Sequence, residues 1–456
     1  MNQPAPAPTA ASAQPGALVL GGAHGGLAIA RSLGRRGIPV DTLSDHPLAG
    51  LSRYVRRRFS WHGPGRPYAL SRLIGLAHQE KLEGATLFAG GDSEVRFVAQ
   101  NHAALAAIFR LTTPPWSALE RAFDKRLMQR HAATIGVDVP VAFAPADRAE
   151  LETMPCAFPV VLKPSERTTD NAFTLAKAWR ADDRASLLAR YDEAAALVGA
   201  DLVIVQELIP GGGEAQFSYA AVCDRGLPLA ELIACRRRQY PVEFGYTSTY
   251  VETAAAPDVA AAGRRFLASL DYTGIAEVEF KRDPRDGRCK LLDVNARIWT
   301  WAALGAAAGV DFPHALWRLA QGARIGETIP PVTAQRDAAW MHASRDAVAA
   351  IQEMLRGRLT PAGYLRTLRT PLVFAAFTLD DPLPGVLELP LALWRGVTHR
   401  LPIVMRDFWR HVVLGDHPAG GTPGPQPGSH APLTRAPDSP YSPSGFRHRR
   451  LADPAD

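Results

Sequence analysis

Residues 274–297 read G-I-A-E-V-E-F-K-R-D-P-R-D-G-R-C-K-L-L-D-V-N-A-R, and the reading of this stretch decides the fold. Two apolar runs, Gly274–Arg282 and Cys289–Asn295, flank a loop holding Asp286-Gly287, a strong hairpin signal. Side chains two apart on a strand share a face, so Glu277 and Glu279 project together, as do Asp293 and Asn295. Folding about the turn brings the Glu279 region roughly opposite Asp293. Two carboxylates and an amide oxygen then converge. Like charges so close repel and need neutralising. Hard oxygen donors on rigid strands suit Mg²⁺, which takes a few carboxylates plus substrate phosphates. A solvated strand face is the plainer alternative. Against it, Ile275-Ala276 and Leu291-Leu292 predict strands packed into a core, where stray acids are costly.

Upstream, Phe158–Lys163 is a predicted strand bounded by prolines, and Lys163 closes it. Such a lysine points into a cleft or out to solvent. Lys125 follows Asp124 near the start of a predicted helix over Phe123–Ile135. With a Mg²⁺ hairpin downstream, the two lysines read as clamps on a polyphosphate. The buried strand Leu202–Leu208 runs into a glycine turn, V-I-V-Q-E-L-I-P-G-G-G-E over 203–214. Backbone groups beyond Gln206-Glu207 suit an adenine edge, and Glu214 suits ribose hydroxyls; a strand, a loop and two exposed acids explain the same letters. Arg236, Arg237 and Arg238 form either a solvated basic face or, in a cleft, a bidentate grip on an anion. Arg297, two beyond Asn295, is the better candidate for an anion at the reacting centre.

The chain opens with a βαβ pattern: strand Ala17–Gly22, helix Ala28–Arg36, strand Ile38–Leu43. Its turn, G-G-A-H-G-G over 21–26, departs from the dinucleotide fingerprint because Ala23 stands at the second glycine position. A glycine turn at a helix start holds any anion, and a tight turn is at least as good an account. His24 reads as a turn residue. A nicotinamide-dependent oxidoreductase is the rival reading that this turn motivates.

At 456 residues, length suggests about three domains. Hydrophobic content of 47% and charged content of 21% fit a globular protein with a sizeable core. Four cysteines without C-x-x-C or zinc spacing fit a reduced, cytoplasmic compartment. The net charge of +6 is concentrated in short basic runs; no nucleic-acid-binding signature accompanies it, and an anionic small substrate accounts for it. The first 15 residues lack a secretory pattern, and no apolar run is long enough to span a membrane. The expected layout is a disordered 1–15, a parallel α/β domain over 16–115, an α+β region over 116–325, a mostly helical extension over 326–415 and a disordered tail from 416. Within it, Ser93–Phe109 and Trp340–Leu355 are expected to be helical and Leu175–Ala178 a strand. The extension is expected to cap the site or to mediate a homodimer.

F-D-K-R (123–126), F-P-V-V-L-K-P (158–164), V-Q-E-L-I-P-G (205–211), G-I-A-E-V-E-F-K-R-D (274–283) and L-L-D-V-N-A-R (291–297) occur in an order and spacing that resemble the ATP-grasp superfamily. The likeness covers residues 16 to about 325 and is nearest to carboxylate–amine ligases of the D-aspartate ligase group. It implies that ATP lies between two subdomains. Lys125 and Lys163 would contact phosphates, Glu207 and Leu208 adenine, and Glu214 ribose. Glu279, Asp293 and Asn295 would hold Mg²⁺ or Mn²⁺, and Arg297 would steady an acyl phosphate. Asp92 would face the cleft from the N-terminal domain, and Arg236 and Arg238 are candidate contacts to substrate. The implied activity is activation of a carboxylate by ATP and its capture by an amine. A thiol or bicarbonate substrate, or ATP binding without catalysis, are the alternatives. Two departures stand out: the lid position reads S-E-R-T-T-D-N (165–171) without glycine, and Asp293 stands where glutamate is more common in the family.

Overall fold

The computed structural model describes residues 15–165, 171–176, 178–242, 245, 247–323 and 332–395. Residues 1–14, most of the lid (166–170), the second part of the expected extension (396–415) and the tail from 416 lie outside the described residues. Residues up to Glu388 make one compact unit; of the second unit, only Leu389–Arg395, the end of a helix, is described.

The N-terminal part runs β1 (Ala17–Leu20), α1 (His24–Gly34), β2 (Val40–Leu43), β3 (Val55–Phe59), α2 (Ala69–Gln79), β4 (Thr86–Ala89), α3 (Asp92–Gln100), α4 (His102–Ala106) and β5 (Arg110–Leu111). Its five strands form a parallel sheet in the order β3-β2-β1-β4-β5. β1 is wholly buried, as an all-apolar strand covered on both faces should be. The helix expected over Ser93–Phe109 is divided at Asn101, whose side-chain amide donates to the Phe97 carbonyl at 2.8 Å. The glycine turn after β1 is packed by the protein itself. A Cβ at Gly22 would lie 2.0 Å from the His46 carbonyl oxygen, and one at Gly25 would lie 2.6 Å from Ile298. The glycines are therefore needed for close approach between segments, a steric role distinct from cradling a dinucleotide.

Next come α5 (Trp116–Phe123), α6 (Lys125–Thr134), β6 (Ala142–Phe143), α7 (Arg148–Thr153), β7 (Val160–Pro164), α8 (Ala172–Ala176), β8 (Trp179–Ala181), α9 (Arg184–Val198) and β9 (Val203–Glu207). Asp124 interrupts the helix predicted over 123–135, capping α6 by accepting from the backbone N–H groups of Arg126 and Leu127. The four strands form an antiparallel sheet, β6-β9-β7-β8, with its own core of Leu151, Leu162, Phe173, Leu187, Tyr191 and Val205. Burying each such side chain contributes about 1.5–3 kcal/mol, enough to hold this small lobe around its own centre. Where a strand was expected from 175, α8 stands instead. Asn171 Oδ1 accepts from the backbone N–H groups of Phe173 and Thr174, and that local cap starts a helical turn.

The largest part contains β10 (Gln216–Asp224), β11 (Leu227–Tyr240), β12 (Thr247–Thr253), α10 (Pro257–Ser269), β13 (Gly274–Arg282), β14 (Cys289–Asn295), α11 (Ala303–Ala308), α12 (Phe312–Ala320), β15 (Ala339–Met341), α13 (Ala343–Leu355), α14 (Pro361–Thr367), β16 (Leu372–Phe374) and α15 (Leu383–Arg395). Seven strands form one sheet in the order β14-β13-β10-β11-β12-β15-β16. The helix expected over 340–355 begins three residues later, because Trp340 and Met341 are claimed by pairing with Val251 and Tyr250 on β12. β11 is fourteen residues long and carries the arginine run inside the sheet. One core joins Leu18, Leu20 and Leu87 of the parallel sheet to Val278, Phe280 and Leu291 of the hairpin. That shared core fixes the hairpin against the N-terminal domain. No described helix is long and apolar enough to cross a membrane.

Candidate active site

The site is built on the hairpin β13–β14. Glu279 pairs with Asp293 and Glu277 with Asn295 across the strands. Ala276, Val278 and Phe280 turn to the core, leaving Glu277, Glu279 and Lys281 on the opposite face. The register shifts by one residue between Glu279 and Phe280, so Phe280 opposes Leu291 while Glu279 opposes Asp293. Leu292 is the extra residue of this bulge. It lets the same short strand bury Leu291 and still present Asp293 to Glu279.

Asn295 Nδ2 donates to Glu277 Oε2 at 3.1 Å and to Glu279 Oε1 at 2.8 Å. Glu277 is buried and also accepts from Ser218 Oγ at 2.9 Å and Trp301 Nε1 at 3.0 Å. Burial, then the Glu279 charge, push its carboxyl above the ordinary range. Cations surround the acids. Lys125 Nζ lies 3.3 Å from Asp293 Oδ2, and Arg236 Nη2 lies 3.1 Å from Glu279 Oε1. Arg297 forms a forked pair with Asp92, the first residue of α3, at 2.5 and 3.2 Å. Its Nη2 also reaches Asn295 Oδ1 at 3.3 Å.

Electrostatics follow from this packing. Asp293 raises the Lys125 ammonium above its usual value. Burial opposes the charges on Arg236 and Arg297, but the neighbouring carboxylates outweigh it and raise both. Lys163 differs. Its Nζ donates to Gln206 Oε1 at 3.4 Å, and burial pushes its ammonium down to about 8 despite Asp293. An ammonium held this way is short of negative charge, a deficit that a phosphate would fill.

The donors that converge on the centre of the hairpin, from Glu279, Asp293 and Asn295, fit a hard cation such as Mg²⁺. Asn295 turns its amide nitrogen to the glutamates here. The opposite orientation of the same amide would offer its oxygen to an ion, and that choice follows the hydrogen-bond network.

The remaining predicted residues separate into two groups. Gln206 is buried and orients Lys163. The Glu207 carboxylate accepts from Val141 N at 3.0 Å and pairs with Lys290 at 2.7 Å and Arg285 at 2.8 Å. Its side chain is thus occupied, and its backbone N–H donates to the Val141 carbonyl at 2.9 Å. The Leu208 N–H donates to the Pro159 carbonyl at 3.2 Å. Glu214 Oε1 accepts from Gly212 N at 2.9 Å beside an open cleft of about 1150 Å³, which Leu208, Ile209, Lys281 and Arg237 also line. Arg238, a candidate substrate contact, is drawn out of the cluster. It makes a buried two-point pair with Asp346, both contacts at 2.9 Å, and its guanidinium lies 4.3 Å from the Tyr250 ring centroid. A bulge between Arg236 and Arg238 sends the two side chains to different surroundings. Lys281 was not among the predicted site residues; its Nζ donates to the Ile209 carbonyl at 2.8 Å. Its signal was present in the sequence, since it shares the two-residue period of Glu277 and Glu279.

No family model matches the chain. Over 251 residues it is 25% identical to the D-aspartate ligase of Enterococcus faecium (strain Aus0004), covering 50% of this chain and 56% of that protein. It therefore spans little more than half the length of this curated relative. Among solved structures it is similar to the L-amino acid ligase from Bacillus licheniformis, with a TM-score of 0.54, 17% identity and coverage of 72% of this chain and 79% of that one. It is likewise similar to the biotin carboxylase domain of the Hydrogenobacter thermophilus 2-oxoglutarate carboxylase, in complex with MgADP, ADP and bicarbonate. There the TM-score is 0.55 at 15% identity, covering 70% of this chain and 72% of that one. At these identities the structural likeness concerns the fold.

Proposed function

This chain has the ATP-grasp fold, and from that premise we propose that it is an ATP-dependent ligase that activates a carboxylate as an acyl phosphate and joins it to an amine. The observation that carries the reading is the opposition of Glu279 and Asp293, with Asn295 beside them, inside a ring of Lys125, Lys163, Arg236 and Arg297. Oxygen donors at the centre and cations around them match the charge pattern of a nucleoside triphosphate with its divalent ion. The partial match to a D-aspartate ligase supports amino acids as the substrate class.

In this reading Glu279, Asp293 and Asn295 would hold Mg²⁺, and Mn²⁺ could replace it. The ion, when bound, offsets charge on the transferring phosphoryl group. Lys125 and Lys163 grip the phosphates from α6 and β7. The base of ATP lies along the main chain at 207–209, with Glu214 toward the ribose. Arg297 exchanges its pairing with Asp92 for the negative charge that develops on the activated carboxylate. An amine then attacks that carbon, phosphate leaves, and a new amide bond remains. Positioning and preorganised charge supply most of the acceleration. Arg236 contributes to an anionic substrate subsite, whereas Arg238 holds the sheet to α13. Four free cysteines accord with the cytoplasm as the place of action, and the substrates are small molecules rather than nucleic acid. Self-association as a homodimer belongs to the same proposal.

ADP release measured over pairs of amino acids, with mass detection of products, tests the reading. The expected product weighs the sum of both substrates less one water. ADP release with bicarbonate or a thiol, but with no amine, would replace the amine acceptor. ATP binding without ADP formation under every condition would overturn catalysis.

A further inference from the structure

A second constellation lies outside the acidic hairpin. His24 begins α1, His342 joins β15 to α13, and Glu388 sits on α15. Their ligand atoms all lie within 4.8 Å of one another. His24 Nε2 is 2.5 Å from Glu388 Oε1, His342 Nε2 is 3.3 Å from the same oxygen, and the imidazole centroids are 4.9 Å apart. His24 lies hundreds of positions from the other two in the chain, so only the tertiary fold unites the set.

His342 is 3% exposed, and its Nε2 makes no hydrogen bond among the described residues. The Glu388 oxygen is close enough for attraction, but its direction from the ring does not satisfy a hydrogen bond. The other nitrogen, Nδ1, is 3.4 Å from Ser344 Oγ. One ring nitrogen is thus steadied by a hydroxyl, while the other is aimed, without a hydrogen bond, at a carboxylate and a second imidazole. This is how a metal-binding histidine is commonly held: one nitrogen oriented by a neighbour, the other free for the ion. Leaving a buried polar atom unsatisfied has a cost, so its aim into the cluster calls for a partner.

We propose that His24, His342 and Glu388 form a binding site for a Zn²⁺ ion that fastens α1, the β15–α13 junction and the first turns of α15 together. Two imidazoles and one carboxylate are a donor set that Zn²⁺ takes, with a fourth position left for water. Ligand atoms around a tetrahedral Zn²⁺ stand about 3.3 Å apart, given bonds of about 2.0–2.1 Å. The His342–Glu388 spacing already meets this. His24 and Glu388 must separate by somewhat less than an ångström, and the two imidazole nitrogens must draw together, changes within reach of side-chain rotation. The donors differ from the all-oxygen set of the hairpin, so the two sites select different ions. Gly25, next to His24, lies against Ile298, the residue after Arg297. The clasp therefore borders the segment that follows β14 without contributing to the chemistry of the candidate active site.

The full chain, dialysed against a chelator, is titrated with zinc chloride by calorimetry in excess Mg²⁺, which keeps the oxygen-lined hairpin occupied. One equivalent of Zn²⁺ is expected to bind and to raise the melting temperature. Cobalt(II) in its place is expected to show the visible absorption of a tetrahedral site. His24→Asn and Glu388→Gln are expected to retain the metal-free fold by circular dichroism while losing the equivalent of Zn²⁺ and the cobalt spectrum. Asp293→Asn is expected to keep both. Should wild type take up no Zn²⁺ in excess Mg²⁺, or should His24→Asn and Glu388→Gln bind it as wild type does, the site does not exist and the three residues are a hydrogen-bonded cluster. Neither result bears on the ligase reading, which Asp293→Asn tests separately.

Discussion

Arg297, just beyond the end of β14, is held by a two-point contact to Asp92 at the start of α3, at 2.5 and 3.2 Å. The pair joins the acidic hairpin to the N-terminal sheet. It also keeps a charged guanidinium beside Asn295, one of the candidate metal ligands. Replacing Arg297 by Ala should cost ADP release about 2.7–4 kcal/mol of transition-state stabilisation, the usual effect of losing one preorganised contact to developing charge. Arg297→Lys should restore only part of it, because the planar fork is lost. Asp92→Asn should change kcat less than Arg297→Ala does. Steady-state kinetics across the three variants checks this order.

Lys163 should report nucleotide binding through protons. Its ammonium is pushed down to about 8 by burial, and bound phosphates favour its charged form. Nucleotide binding must therefore raise its affinity for a proton. Below about pH 7 the group is already charged and little uptake follows; above about pH 8 it is largely neutral, and up to one proton should enter with each nucleotide. Calorimetry in buffers of different ionisation enthalpy measures this directly. Lys163→Ala should show no such uptake, and should also lose ADP release.

Asp293→Asn should abolish ADP release at every Mg²⁺ concentration, and Glu279→Gln should raise the Mg²⁺ requirement steeply. Each removes one anionic oxygen donor from the proposed ligand set. Asp293→Glu restores a longer carboxylate and should keep measurable turnover, which a Mg²⁺ titration of initial rates would reveal.

Arg238 should matter for stability and not for chemistry. It and Asp346 are 6% and 0% exposed at their side chains and are bound to each other. Arg238→Ala leaves a buried carboxylate uncompensated and should cost about 3–5 kcal/mol. Urea unfolding measures the loss. The double replacement Arg238→Met, Asp346→Leu should recover most of it.

The hairpin bounds, the βαβ opening and the residues that carry charge were legible in the sequence. Gly274–Arg282 and Cys289–Asn295 stand in the structure with the bounds their pattern predicts. Local rules suffice there, because a two-residue period and a turn pair act over a few positions. What escaped were features set by distant partners. Residues 53–58 read as a basic run, yet 55–59 form a strand beside β2, whose buried Asp41 meets Arg56 and Arg57. Leu292 forms the bulge that turns Asp293 toward Glu279 while Leu291 stays in the core, and alternation alone would put Leu291 and Asp293 on one face. Arg236 and Arg238 look equivalent in the chain, yet one meets Glu279 and the other Asp346. Trp340 reads as the start of a helix until β12 pairs with it. His24 reads as a turn residue until Glu388 and His342 arrive beside it. Composition and period settle which side chains can do chemistry; which of them meet is settled by long-range packing, whose contacts no local stretch of sequence encodes.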